Sequence, residues 1–201
     1  MILKRILKPV LTFVLIVCLA SQMGFAQSRR HDLSLGYGVG TLDQVSDIIE
    51  NIMLITITLG TFAKTEMKYS GAPFLTYHYS RNSRFGIGLA VGGYQSTGVL
   101  QNNITEEPAG DFKETNYVGA LEIDYHWIMK KGFQLYSGLG AGLRLRKGTY
   151  TSGADTDTSS KALPTFHINA LGFRIGGKVG LFGEIGAGYK GFLCFGLNAQ
   201  F

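Results

Sequence analysis

From residue 31 onward, apolar and polar positions alternate with period two, in runs broken by glycine-rich or polar stretches. That period marks half-exposed β-strands, because successive side chains of a strand point to opposite faces. In the run 117–127, one face carries Tyr117, Leu121, Ile123, Tyr125 and Trp127, and the other carries Ala120, Glu122, Asp124 and His126. The run 133–146 sets Phe133, Leu135, Leu139, Ala141, Leu143 and Leu145 against Gln134, Gly138, Gly140, Gly142, Arg144 and Arg146. The chain ends in the same way, with Leu193, Phe195, Leu197, Ala199 and Phe201 opposed to Cys194, Gly196, Asn198 and Gln200. Segments of this kind predict eight strands, over 31–40, 68–80, 85–98, 114–128, 133–148, 163–175, 178–188 and 191–201.

The connections are a second signal. Residues 81–84, 129–132 and 176–177 are short turns, whereas 41–67, 99–113 and 149–162 are long and mostly polar. Short turns on one side and long loops on the other describe an outer-membrane barrel, and eight is its smallest usual strand number. The connection at Tyr189, Lys190 and Gly191 departs from the rule by being short on the long side. The expected fold is therefore all-β, an eight-stranded antiparallel up-and-down transmembrane β-barrel.

A length separates this from a soluble barrel. Tyr117 and Trp127 share the outward face, and at about 3.3 Å per residue and a tilt near 40° they span about 25 Å along the axis, the height of an apolar band between aromatic girdles. Tyr125, Trp127, Phe133, Phe173 and Phe201 are expected at the short-turn rim, and Tyr37, Tyr117, Tyr150 and Tyr189 at the loop rim. A soluble barrel would turn its greasy face inward; here the face left for the lumen is Gly, Glu, Asp, His and Arg.

One stretch breaks the pattern. Ser46 and Asp47 can cap a short helix over 45–53, with Ile48, Ile49, Ile52 and Met53 on one side, placed in the first external loop against the barrel mouth or lipid headgroups. Residues 55–62 fit either a helix or a strand, since Ile55 to Leu59 alternates.

The amino terminus predicts export. Lys4, Arg5 and Lys8 precede an apolar core from Val10 to Ala20, and Gly24-Phe25-Ala26 supplies a cleavage site, which divides the chain into a signal peptide, 1–26, and a barrel, 27–201. A lipoprotein signal at Cys18 is disfavoured by Val17 before it. The three signal cations leave 16 Lys plus Arg against 14 Asp plus Glu, so no basic surface for nucleic acid remains. Glycine supplies 28 of 201 residues and charged residues only 16 %, which excludes a disordered or coiled-coil chain. With Cys18 gone, Cys194 has no partner for a disulfide. No apolar run reaches the roughly 18 residues of a spanning helix.

The candidate chemistry lies in the lumen. Glu122, Asp124, Arg144, Arg146 and Glu184 all have inward parity, and an eight-stranded barrel is just wide enough for side chains to fill it. Mutual pairing of these charges is expected, since an unpaired buried charge is costly, with Gly138, Gly140 and Gly142 making room for long side chains.

The signal peptide, the run 183–191 and the terminal Leu197-Asn-Ala-Gln-Phe201 resemble the small outer-membrane β-barrel family common in Bacteroidota, similar in architecture to outer membrane protein X and the barrel of outer membrane protein A. The resemblance implies outer-membrane lipids as surroundings, insertion by the barrel-assembly machinery with Phe201 as its assembly signal, and a monomer. It leaves activity open, because one fold hosts many functions. Outer-membrane lipid A deacylases resemble this architecture and place a His and, two residues later, a Ser on an outward strand position; here His167-Ile168-Asn169 lacks the serine. The glycines are too dispersed for a phosphate loop. No enzyme, cofactor or metal site is expected. The reading is a structural or surface-interaction protein of the cell outer membrane with a filled polar lumen, or alternatively a narrow pore for ions or small solutes.

Overall fold

The computed structural model describes residues 31–59, 61–80, 84–102, 104–105, 107–130, 132–152 and 155–201. The expected signal peptide with its cleavage point, Cys18, and most of the turn at 81–84 lie outside the described residues. The strands are β1 (His31–Val39), β2 (Phe62–Tyr69), β3 (Ala72–Tyr79), β4 (Phe85–Asn102), β5 (Glu107–Lys130), β6 (Phe133–Ser152), β7 (Asp155–Gly176), β8 (Val179–Gly188) and β9 (Leu193–Gln200), and one helix, α1 (Leu42–Ile57), follows β1. Every neighbouring pair is antiparallel, and the sheet closes on itself through β1–β3, β1–β9 and β4–β5.

Nine strands make eight staves, because β2 and β3 both pair with β4, one above the other. The stave read from the sequence as one strand over 68–80 breaks at Ser70 and Gly71. A Cβ on Gly71 would run into the Tyr37 ring, and the Tyr37 hydroxyl accepts the Gly71 N–H at 2.9 Å. Ser70 carries the stave across the break: its N–H donates to the Gln95 carbonyl at 2.9 Å and its Oγ accepts the Gln95 N–H at 2.8 Å.

Residues 99–113 and 149–162, expected as loops, are mostly strand. β4 and β5 stay paired as far as Asn102 and Glu107, and β6 and β7 as far as Ser152 and Asp155. Apolar residues are sparse in these segments, with Val99, Leu100, Ile104 and Phe112 the main exceptions, so no clear period shows in the sequence, yet their threonines suit a pleated sheet. Helix α1 is also longer than expected, and its N-cap is Thr41 rather than Ser46 or Asp47, which lie inside it. Residues 55–57 belong to the helix. Thr58 ends it, donating its N–H to the Leu54 carbonyl at 2.9 Å while its Oγ1 accepts the Phe62 N–H at 3.2 Å, which starts β2.

The two faces of the barrel are inverted relative to a soluble protein. Leu89, Leu121, Ile123, Leu139, Phe166, Ile168, Leu181 and Phe195 stand exposed on the outside, while Glu114, Glu122, Arg144, Arg174 and Lys190 are buried inside. Such a belt of exposed aliphatic side chains exceeds the scattered apolar residues normal on a water-facing surface. Two girdle assignments are corrected. Tyr189 points into the lumen, and Tyr150 lies on the inward face of β6, where its hydroxyl donates to Glu114 at 3.2 Å. The other two loop-rim residues, Tyr37 and Tyr117, are outward and exposed.

Candidate functional site

The inward residues form layers along the barrel axis. At mid-height, Phe74 and Phe182 meet with ring centroids 6.2 Å apart, and a Cβ on Gly36 would collide with both rings. Above the rings sits Lys190, whose ammonium lies 5.1 Å from the Phe74 ring centroid. Its Nζ is 2.8 Å from Glu122 Oε1 and 3.7 Å from Glu184 Oε2. The other oxygen of Glu122 lies 3.2 Å from His78 Nε2, which is also 3.1 Å from Asp124 Oδ2. Tyr189 donates its hydroxyl to Glu122, and Tyr136 donates to Glu184 Oε1 at 2.9 Å. One connected set thus reaches across the lumen from β3, β5, β6 and β8 to the β8–β9 turn.

Lys190 reaches this position because its turn folds inward. Gly188 has φ +148° and Gly191 φ +120°, conformations that favour glycine. They break the alternation of β8, so Tyr189 and Lys190 both enter the lumen. Gly38 lets the turn approach, since a Cβ there would strike the Lys190 carbonyl.

The five lumen charges read from the sequence all face inward but are spread along the barrel axis. Glu122, Asp124 and Glu184 gather around Lys190 and His78, whereas Arg146 sits nearer the mouth with its Nη2 2.6 Å from Glu114 Oε2. Arg144 lies between the two sets and donates to the Tyr94 hydroxyl at 3.3 Å. The glycines behave as expected at two of three positions: Gly138 leaves space for Asp124 and Gly140 for Tyr189, but Gly142 faces the backbone of Gly119 and Ala120.

A third polar layer closes the short-turn end. Arg174, 2 % exposed, donates Nε to Asn198 and caps the turn after β7 through Nη2 to the Gly177 carbonyl at 2.8 Å. Asn198 and Gln200 in turn donate to Asp32, Gln200 at 2.8 Å. Phe201 exchanges backbone hydrogen bonds with His31 at 2.9 and 3.0 Å, and their rings stack at 5.6 Å, so the last residue joins the first strand.

Between this layer and the Lys190 set lies a polar cavity of about 40 Å³ lined by residues including Asp32, His78, Asp124, His126, Glu184 and Asn198. That is room for roughly three water molecules. His167 and Asn169 face the lumen and are buried, not outward, and both ring nitrogens of His167 lack a hydrogen-bond partner among the described residues. His167 packs against Tyr189 at 5.3 Å between ring centroids.

Sequence reasoning missed Lys190, His78, Glu114 and Arg174. The signal for Lys190 was available in the anomalous short connection between two glycines, and that for His78 in the inward row Phe74, Thr76, His78.

Beyond the belt, β2 and β4–β7 continue as a protruding sheet. β8 pairs with β7 only from His167 to Gly176, so Asp155–Thr165 is paired with β6 alone among the described strands. The residues described from Thr156 to Ala162 are all exposed.

No protein-family model matches the chain, and no curated protein sequence matches it. Among solved structures it is similar to Ail, the attachment invasion locus protein of Yersinia pestis, solved in complex with the heparin analogue sucrose octasulfate. The identity is 13 %, the alignment covers 85 % of this chain and 97 % of that chain, and the TM-score is 0.43.

Proposed function

We propose that the protein is an integral outer-membrane β-barrel whose lumen is closed by packed charges and whose work is done outside the membrane, as a structural or surface-interaction protein. The observation that carries the surface role is the protruding sheet. From Tyr117 to Glu107, β5 runs about 33 Å along its own length past the loop-side girdle, and the β7 edge over Asp155–Thr165 offers backbone donors and acceptors to a partner. An edge strand of that length is a template for β-strand addition. Residence in the membrane is supported by the exposed aliphatic belt, whose exposure to water would be unfavourable along the whole circumference. Membership of a Bacteroidota-type family rests on the sequence resemblance, and export through cleavage after Ala26 on the signal pattern.

The test is twofold. Cell fractionation should recover the protein with the outer membrane, and unheated detergent samples should migrate differently from boiled ones. An immobilised mature barrel should then capture an extended peptide that wild type binds and a Thr158→Pro variant does not; recovery as a soluble periplasmic protein would end the reading.

A second reading, the narrow pore, is favoured by the 40 Å³ cavity and the unpartnered His167 nitrogens, both of which suit water. It needs the Lys190 set to open, and planar-bilayer recording distinguishes the two.

A further inference from the structure

We infer that α1 lies in the membrane surface with its apolar face in lipid, extending the barrel's belt above β1. The inference rests on the outer-membrane reading. Its basis is that α1 is amphipathic in the reverse sense for a helix bathed in water. The helix lies against β2, which among the described strands pairs with β4 alone, and also touches β8. Toward the protein it turns Gln44, whose Nε2 donates to the Ser70 carbonyl at 3.5 Å, and the half-buried Asn51, Leu54 and Thr58 cap. The other side presents Val45, Ile52, Met53 and Ile57, the last 75 % exposed, together with Thr56, whose hydroxyl is turned back onto the Ile52 carbonyl at 2.8 Å. A helix on a water-facing surface places such residues against the protein and polar ones outside.

Lipid is the occupant that continuity selects. The chain enters α1 directly from the outward row Leu35, Tyr37, Val39 of β1, all exposed parts of the belt. Gln44 reaches Ser70, next to Gly71, whose N–H is bonded to the Tyr37 hydroxyl. The first turn of the helix therefore stands at the loop-side rim of the belt, where β1, β9 and β8 end and β2 and β4–β7 continue. At that level a helix with one apolar face rests in the interface between headgroups and acyl chains. It fills the gap in the wall above β1 with the same chemistry that the strands present below.

Spin-label accessibility tests this. A nitroxide is placed through Ile52→Cys, and separately through Met53→Cys, in a Cys194→Ala background refolded into phospholipid vesicles. Leu121→Cys serves as the belt control and Ser159→Cys as the water control. Oxygen, which partitions into lipid, and a water-soluble nickel chelate then compete as relaxants. The ratio of oxygen to nickel collision rates at Ile52 and Met53 should exceed that at Ser159 by about threefold or more, and approach that at Leu121. A ratio equal to that at Ser159 overturns the inference. So does protection from both relaxants, which would mean that a second copy or another protein covers the face. If Leu121 itself reports water, the outer-membrane reading fails, and this inference with it.

Discussion

Below the girdle marked by Tyr117 the strands close into a ring; above it the longer ones continue as an open-edged sheet. Pairing is unbroken across this boundary, yet the outward side chains change character within one row. On β5 the outward face runs Ile123, Leu121, Gly119, Tyr117 and then Thr115, Lys113, Asp111. On β6 it runs Leu139, Ala141, Leu143, Leu145 and then Lys147, Thr149, Thr151, and on β7 Phe166, Pro164, Ala162 and then Ser160, Thr158, Thr156. The switch is in register: Tyr117 pairs with Leu145 and Leu145 with Ala162, while Thr115 pairs with Lys147 and Lys147 with Ser160. Lys147 also places its ammonium 6.0 Å from the Tyr117 ring centroid, as suits a cation beside an interfacial aromatic. On the outer-membrane reading, the membrane boundary would thus be written in outward side chains, while the backbone ladder runs through it unchanged. The inward face changes at nearby levels, from the Lys190 set to the Glu114–Arg146 pair.

The largest effect is expected inside the ring. Lys190→Met removes the ammonium between Glu122 and Glu184 and is expected to cost about 3–5 kcal/mol, as when one partner of a buried ion pair is lost; chemical unfolding from vesicles measures it. Next comes the outer wall. Leu121→Arg should cost roughly 2–4 kcal/mol, whereas Asp111→Arg, on the same face of the same strand above the boundary, should cost about 1 kcal/mol or less. Equal costs would erase the boundary drawn at Tyr117. At the mouth, Arg146→Ala leaves Glu114 with its Tyr150 hydrogen bond and should cost about 1–3 kcal/mol. Smallest is the protruding edge, where Thr158→Lys should stay within about 0.5 kcal/mol. A separate comparison concerns insertion: deleting Phe201, which bonds and stacks with His31, should lower the inserted fraction far more than deleting Ser159 does. Unchanged insertion would reduce Phe201 to one more aromatic of the girdle.

The ring was legible because its outward face is apolar and its inward face largely polar, so parity appears directly in runs such as 117–127 and 133–146. The protruding sheet was not, because residues 156–162 are exposed on both faces and the run 149–162 reads as a polar loop. Parity also placed Glu122, Asp124, Arg144, Arg146 and Glu184 on the inward face, but it carries no information on height. Two residues on one face of a strand stand about 7 Å apart, enough to place Arg146 with Glu114 rather than with Glu122. Lys190 was hidden for another reason. Gly188 and Gly191 take its turn out of the alternation on which the reading depended, and Tyr189 was misplaced for the same reason.

On the proposed reading, a wall facing lipid surrounds a lumen shut by the Lys190 set. Single-channel recording of the refolded protein in a planar bilayer, with insertion verified by the shift in gel mobility on heating, tests it most directly. The expected result is a silent wild type and stepwise leak currents in Lys190→Met. Steady ion conduction by the wild type would contradict the closed lumen and put the narrow pore in its place.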